Sequence, residues 1–256
     1  DKLLEKTNDL IAHKASAVAT SVEPVPVDHA ARTRFSFSRL SGSLQPANTL
    51  EDESVETALE ENESTIIDPL GFGTLIHEVL ERIDFSAPQD VGGLCQFLAP
   101  RHLADQVEQA AAEAGSLVQQ FLASDRAAQL AEAQVVQREV EFLLPWDEAE
   151  NAYLHGFIDC LYRDADGRWH VLDYKSNQVS AGGVPALAEQ YHLQMYVYAL
   201  ACERALGVAP AESVLYFLRP QAEFTCSFSE NQKRHLHDQV TAAIQCQRHP
   251  LLQPTA

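Results

Sequence analysis

The chain has 256 residues, a length that suits one large domain or one domain with an appendage. Hydrophobic residues make up 46% of it, enough for a substantial core. No apolar run reaches the roughly 18 residues that a membrane span needs. The net charge of −19 is opposite in sign to that of a typical free-standing nucleic-acid binder, so any such role must account for it.

The N-terminal residues are predicted to be an extension of the main domain. Residues 1–20 suit a helix, and "SVEPVPVDHA" suits an extended linker because it holds two closely spaced prolines. The only methionine is Met195, so we expect the chain to be a piece of a longer protein or a processed one. We therefore assign residues 1–33 to a helix and linker, and residues 34–256 to the main domain.

Residues 51–68 are predicted to form an acidic, mobile insert in the main domain. Their first part, "EDESVETALEENE", has seven acidic residues and no base, which is typical of a solvated segment. Upstream of this insert, "RFSFSRLSGS" alternates apolar and polar residues and predicts a short strand or a turn into a helix.

Regular structure is predicted to resume at "DPLGFGTLIHEVLERIDF". Apolar residues recur there at helical spacing, namely Leu75, Ile76, Val79, Leu80 and Ile83. Residues from about 101 to 134 are rich in alanine and predict two helices around "AGS" and "ASD". "VVQREVEFLLPW" then predicts a strand that ends at Pro145.

A β-hairpin is predicted next, from "HGFIDCLYR" and "RWHVLDYKS". A three-residue loop would put Gly167 at the left-handed position that such loops need. That register places Asp159 opposite Asp173, and Lys175 shares their face because side chains alternate along a strand. A two-residue loop would turn one strand over and separate these groups.

The C-terminal residues are predicted to complete a mixed sheet. "LAEQYHLQMYVYALACERALG" predicts an amphipathic helix that ends at Gly207. "ESVLYFLRP" predicts another strand, and "SENQKRHLHDQVTAAIQCQ" predicts a final helix. The predicted fold class is therefore α/β, with a mixed β-sheet flanked by helices.

The hairpin face carries the strongest chemical signal. Two carboxylates on adjacent strands repel each other unless a cation compensates them, and oxygen ligands suit Mg²⁺ or Mn²⁺ better than zinc. A lysine beside them can help to activate water or stabilise charge on a phosphate. Asp159, Asp173 and Lys175 therefore suit a metal-dependent phosphodiesterase. The simpler interpretation is a salt bridge at a strand end, which is common and weak.

Four motifs in order make the pattern more specific: "GTLIHEVLE", "GFID", "DYKSN" and "QMYVY". Over roughly residues 70–85 and 135–220 the chain resembles the nuclease domain of RecB and AddA, the helicase–nucleases of bacterial double-strand-break repair and recombination. These domains belong to the PD-(D/E)XK nuclease superfamily. The resemblance implies that superfamily's fold and Mg²⁺-dependent hydrolysis of DNA, as in an exodeoxyribonuclease V-like enzyme.

The resemblance also implies roles for individual residues. The implied metal ligands are His77, Asp159, Asp173 and the carbonyl of Tyr174. Lys175 would be the catalytic lysine, acting with Asp159 and Asp173. Gln194 and Tyr198 lie four residues apart on one helix face, and the resemblance places them beside the site, facing DNA or supporting the metal ligands.

Several polar residues keep a simpler interpretation. His77 on an apolar helix could be a hydrogen-bonded structural histidine, and Gln194 and Tyr198 could reflect ordinary amphipathicity. "REVEF" is a normal half-exposed strand, so Glu139 and Glu141 are not expected to belong to the site. Three further histidines near the motifs are interpreted as structural or solvent-facing: His155, His170 and His192.

The sequence also limits cofactors and partners. An iron–sulfur cluster is not expected, because the five cysteines lack the spacing of the related cluster-binding enzymes, and they suggest reduced thiols in the cytoplasm. No nucleotide site is expected, because there is no GxxxxGK[ST] motif. The implied partners are DNA, a helicase region of the same polypeptide, other subunits of a helicase–nuclease complex and a recombinase, with no membrane.

Three functions remain open from the sequence. The first is the nuclease domain of a RecB- or AddA-type enzyme, where a motor would feed DNA to the site and make the acidic charge tolerable. The second is an inactive nuclease fold kept for DNA binding or subunit docking, which the intact Asp159, Asp173 and Lys175 disfavour. The third is a stand-alone RecB-like exonuclease, which the N-terminal linker and the absence of an initiator methionine disfavour, so the first function is the favoured expectation.

Overall fold

A computed structural model of the chain describes residues 34–36, 67–87, 90–147 and 151–248. The predictions for residues 1–33 and for the acidic stretch 51–66 lie outside these ranges. The described strands are β1 (Arg34–Ser36), β2 (Val135–Asp147), β3 (Ala152–Arg163), β4 (Trp169–Lys175), β5 (Glu212–Phe217) and β6 (Ala222–Cys226). The described helices are α1 (Pro69–Arg82), α2 (Val91–His102), α3 (Val107–Leu122), α4 (Asp125–Glu132), α5 (Val184–Glu189), α6 (His192–Leu206) and α7 (Glu230–Arg248).

The strands form one mixed, six-stranded sheet in the order β1-β3-β4-β5-β6, and β2 pairs with β3. The β1–β3 and β4–β5 pairs are parallel, and the other pairs are antiparallel. Strand β2 pairs with β3 along nearly its whole length, while β1 and β4 pair with opposite ends of β3. This arrangement confirms the predicted mixed sheet flanked by helices.

Helices cover the sheet because its central strands are apolar on both faces. Helices α1–α4 pack on one face, against residues that include Cys160, Tyr162 and Leu172. Helices α5 and α6 pack on the other face, against residues that include Leu161 and Val171. Neighbouring residues of β3 thus point to opposite layers, as the two-residue repeat of a strand requires.

The β3–β4 hairpin has the predicted register. Leu161 lies opposite Val171, and the ladder extends to Cys160 and Leu172. The Asp164 N–H donates to the Arg168 carbonyl, and Gly167 has a φ of +85°. A residue with a Cβ atom would be strained there, so Gly167 fixes the loop length and with it the face on which Asp159 and Asp173 lie.

Three predictions were wrong in detail, and two elements were missed. Strand β2 continues past Pro145, because β2 is an edge strand and a proline there need not remove a ladder hydrogen bond. "AGS" lies inside α3, whereas "ASD" does separate α3 from α4. The long amphipathic segment forms two helices, α5 and α6. Helix α2 and strand β6 were not predicted at all.

The C-terminal end of α6 agrees with the sequence. Gly207 ends α6 with a φ of +72°, as a left-handed cap residue does. Within the part of the chain that the structure describes, no helix combines the length and the apolar character needed to cross a membrane.

Phe121 provides a test of this packing. Its ring is fully buried and contacts the rings of Tyr174 and Tyr216 at centroid distances of 5.3 and 4.7 Å. We expect Phe121→Ala to lower the free energy of unfolding by about 3–5 kcal/mol, because it leaves a cavity under β4. The measurement is urea unfolding followed by circular dichroism.

Phe97→Ala is the matched control, since Phe97 is 63% exposed on α2. It should change the stability by less than about 0.5 kcal/mol. Equal effects of the two substitutions would contradict this description of the core.

Candidate metal centre

A cleft of about 830 Å³ opens where α1, β2, β3, α6 and the end of β4 meet. Helix α1 begins at Pro69 after Asp68, whose carboxylate accepts a hydrogen bond from the Gly71 N–H at 2.8 Å. The helix buries one apolar side against the sheet, and His77 lies on its flank toward the cleft. The helix cap and the buried side together set where His77 meets the strands.

Three side chains in this cleft are close enough to share one ion. One ligand atom each from His77, Glu139 and Asp159 lies within 4.8 Å of the other two. His77 Nδ1 is 3.4 Å from Asp159 Oδ2 and 4.0 Å from Glu139 Oε1. We call these three residues the acidic cluster. It brings together two residues predicted from the sequence and one that was not.

Glu139 was not expected in the site, because the sequence predicts an ordinary half-exposed strand there, but the structure places it in the acidic cluster. In the β2–β3 register Arg138 pairs with Cys160 and Val140 with Ile158, so Glu139 faces Asp159. Its φ is +48°, a conformation that costs a residue other than glycine roughly 1–3 kcal/mol and is enriched at functional sites. No local motif marks Glu139, and only the β2–β3 register could have found it.

Asp173 and Lys175 lie beside the acidic cluster and pair with each other. Lys175 Nζ is 2.7 Å from Asp173 Oδ2, and the Asp173 side chain is 1% exposed. Asp173 Oδ1 has no hydrogen-bond partner among the described residues. A buried carboxylate oxygen without a partner is costly, and a cation is the partner that fits it best.

Helix α6 completes the surroundings of Lys175. Lys175 Nζ donates to Gln194 Oε1 at 3.0 Å, and Gln194 Nε2 donates to the Tyr198 hydroxyl at 2.9 Å. The ammonium group also lies 4.1 Å from the ring centroid of Tyr191, a cation–π contact that the sequence did not indicate. Gln194 and Tyr198 therefore lie beside Lys175, at the position that the motif implied.

The charged groups of the site shift one another's pKa values. Burial lowers the pKa of His77, but the carboxylates of Asp159 and Asp173 outweigh it and raise that pKa to about 9. Burial and the charge of Asp159 raise the pKa of Asp173 to about 6, although Lys175 opposes this shift. Burial and Asp159 likewise raise the pKa of Glu139.

Asp159 stays ionised in this setting. Burial alone would raise its pKa, yet His77, Lys175 and a hydrogen bond from the Tyr174 N–H at 2.9 Å hold that pKa below the ordinary value. A proton on His77 thus serves as counter-charge. A divalent cation bound to the same ring would replace that proton, as metal binding generally does.

The donor set fits a hard divalent cation. Carboxylate oxygens with one imidazole suit Mg²⁺ or Mn²⁺, and the partnerless Asp173 oxygen lies next to them. Asp173 is not a member of the acidic cluster, so its role as a direct ligand stays a prediction. The same holds for the carbonyl of Tyr174, a residue that lines the cleft.

The three histidines that the sequence analysis interpreted as structural or solvent-facing lie in different places. His170 is buried away from the cleft between Asp164 and Glu212, which fits its structural interpretation. His192 lies 3.1 Å from Glu189. His155 does line the cleft and contacts Glu141 at 2.8 Å.

A family comparison agrees with this geometry. The model of the PD-(D/E)XK nuclease superfamily matches residues 49–254, which include the acidic cluster, Asp173 and Lys175. The chain belongs to the PD-(D/E)XK nuclease superfamily. This confirms the resemblance carried by the four sequence motifs.

Curated relatives place the chain more narrowly within the superfamily. It is 30% identical over 211 residues to an ATP-dependent helicase/nuclease subunit from Bacillus pumilus, covering 69% of this chain and 17% of that protein. It is 32% identical over 166 residues to the protein of the same name from Desulforudis audaxviator, covering 59% and 13%. The domain is thus related to the nuclease region of AddA helicase/nuclease subunits, and it spans less than a fifth of their length.

A solved structure also matches. The putative exonuclease from Eubacterium rectale is 13% identical, with a TM-score of 0.44, over 77% of this chain and 72% of that one.

The acidic cluster predicts a specific pattern of metal affinity. Glu139→Gln should weaken Mn²⁺ binding by at least roughly 10-fold, because it removes a charged ligand, and even changes to groups that only orient the ligands cost about 10- to 100-fold. Glu141→Gln is the matched control, two residues along the same strand and outside the cluster. Isothermal titration calorimetry measures both variants, and equal losses of affinity would contradict the assignment of Glu139.

Proposed function

We propose that this domain is a Mg²⁺-dependent DNA nuclease that hydrolyses phosphodiester bonds and carries its own catalytic groups. The observation that carries the proposal is the acidic cluster in the cleft, next to the ion-paired Lys175. Membership of a nuclease superfamily supports the reaction class, and helicase/nuclease relatives support DNA as the substrate.

Each group has a distinct task in this proposal. His77, Glu139 and Asp159 would hold the cation, with Asp173 and the Tyr174 carbonyl as further predicted ligands. A bound Mg²⁺ would supply Lewis acidity toward the phosphate and lower the pKa of a water. The protein contributes the fixed positions of these ligands, so little reorganisation is needed during the reaction.

Lys175 would supply the positive charge that the attacked phosphate needs. Its ammonium group is held by Asp173, Gln194 and Tyr191, so it keeps one position in the cleft. Burial lowers the pKa of Lys175, but Asp173, Tyr191 and Asp159 outweigh that effect and raise it. The lysine therefore stays protonated at neutral pH. That state favours stabilisation of phosphate charge over a role as general base.

The described residues alone supply the acidic cluster, the lysine and the cleft. Cleavage would therefore need no group from a helicase region, which supports a nuclease that can act by itself. The third function left open by the sequence, a stand-alone RecB-like exonuclease, thus gains support.

A second candidate is the same nuclease coupled to a motor. The identity to helicase/nuclease subunits favours it, and a motor that delivers the strand would offset the charge of −19. Other subunits and a recombinase would then be partners as well. An inactive docking module is disfavoured, because the buried charges of the site are costly to keep without a use.

The test is cleavage of labelled DNA by the purified chain in Mg²⁺ without ATP. Wild type should cut, and Lys175→Ala should lower the rate by roughly 100- to 1,000-fold, the usual loss when one charge-stabilising group is removed. Lys233→Ala is the control, since Lys233 pairs with Glu230 on the exposed start of α7. Circular dichroism establishes whether the variants are folded.

The cleavage assay distinguishes the self-sufficient nuclease from the motor-coupled one. Metal-dependent cleavage by the chain alone supports the self-sufficient nuclease, and a rate that rises only when a motor domain is fused supports the coupled one. Undiminished cleavage by Lys175→Ala would refute the mechanism.

A further inference from the structure

Beside the acidic cluster the cleft exposes a large aromatic ring, that of Phe157. Phe157 lies two residues before Asp159 on β3, lines the cleft and is 45% exposed. Residues two apart on a strand share a face, about 7 Å from each other. The ring therefore lies in the cleft near Asp159, two residues away from it along β3.

Contacts with neighbouring side chains hold the Phe157 ring in position. The His155 ring contacts it edge-on at a centroid distance of 5.3 Å and an interplanar angle of 80°. His155 is itself held by Glu141 at 2.8 Å, and Glu141 lies opposite Phe157 in the β2–β3 register. Leu143, 46% exposed, faces His155 across the same pair of strands. We call Leu143, His155 and Phe157 the apolar shelf.

The charge of the cleft explains why such a shelf would be useful. Among the described residues that line the cleft, Lys175 is the only lysine or arginine, whereas Glu78, Glu81, Glu139 and Asp159 are acidic, and only Glu78 is paired with arginines, Arg82 and Arg101. A phosphate backbone gains little from such a lining, apart from Lys175, His77 and a bound cation. Affinity for a strand must then come from contacts that do not depend on charge.

We propose that Phe157 is the stacking platform for an unpaired nucleobase next to the scissile phosphate. The proposal rests on the nuclease function, because it needs a strand in the cleft. Stacking on an aromatic ring accepts any base and does not need phosphate contacts. A ring that is already braced by His155 loses little freedom when a base stacks on it. A base inside a duplex does not present its face, so the shelf would favour strands that are single or frayed at the cut.

The test measures binding of a fluorescent oligothymidine by anisotropy, with Ca²⁺ in place of Mg²⁺ and intact strand verified on a gel. Phe157→Ala should weaken binding by roughly 5- to 150-fold, the usual range for loss of one base–aromatic stack. Phe157→Trp should bind within about 3-fold of wild type, because it keeps a ring for stacking. Phe97→Ala removes a comparably exposed ring elsewhere and should bind as wild type does.

Two further arms isolate stacking from other effects. An abasic strand should bind wild type and Phe157→Ala equally, because it has no base to stack. The ratio of the two dissociation constants for oligothymidine should stay constant as salt rises, although each constant weakens through counterion release. An unchanged affinity of Phe157→Ala for oligothymidine, or an equal loss with the abasic strand, would overturn the proposal.

These measurements distinguish failure of the stacking proposal from failure of the proposed nuclease function. If wild type shows the Phe157-dependent affinity but no cleavage in Mg²⁺, the shelf stands and the nuclease proposal fails. If wild type cuts DNA while Phe157→Ala binds normally, the nuclease stands and the shelf fails.

Discussion

Two carboxylates on adjacent strands, Asp159 within β3 and Asp173 near the end of β4, are the constraint around which this site is built. The side chains of Asp159 and Asp173 are 11% and 1% exposed, and the charge of Asp159 raises the pKa of Asp173 because like charges repel. Lys175, the His77 ring and the Tyr174 N–H each offset part of that repulsion. Asp173 Oδ1 still has no hydrogen-bond partner among the described residues, and a divalent cation would complete the compensation.

Three parts of the fold bring the groups of the site together. The sheet brings the carboxylates and Lys175 together through the β3–β4 hairpin, α1 brings His77 from one side, and α6 brings Gln194 from the other. Tyr174 lies between Asp173 and Lys175 on β4, and its ring packs against Phe121 of α3. The hydrophobic core under β4 therefore fixes the geometry of the polar face above it.

The sequence predicted those parts of the site that local patterns determine. One glycine in a short loop sets the hairpin register, so the pairing of β3 with β4, which brings the segments of Asp159 and Asp173 together, followed from the loop length. Motif resemblance supplied His77, Gln194 and Tyr198. Glu139 was missed because its position depends on how β2 pairs with β3, which no local pattern records. The cation–π contact of Tyr191 was missed for a similar reason, since α5 and α6 form two helices rather than one.

The central claim is that the acidic cluster holds one divalent cation. Anomalous diffraction from crystals of the wild-type protein soaked in Mn²⁺ tests it most directly, because it locates the ion without an activity assay. The account predicts an anomalous peak within ligand distance of His77, Glu139 and Asp159, next to the partnerless oxygen of Asp173. A peak found only outside the cleft, or an ion held near Asp173 and Lys175 without Glu139 and His77, would contradict it.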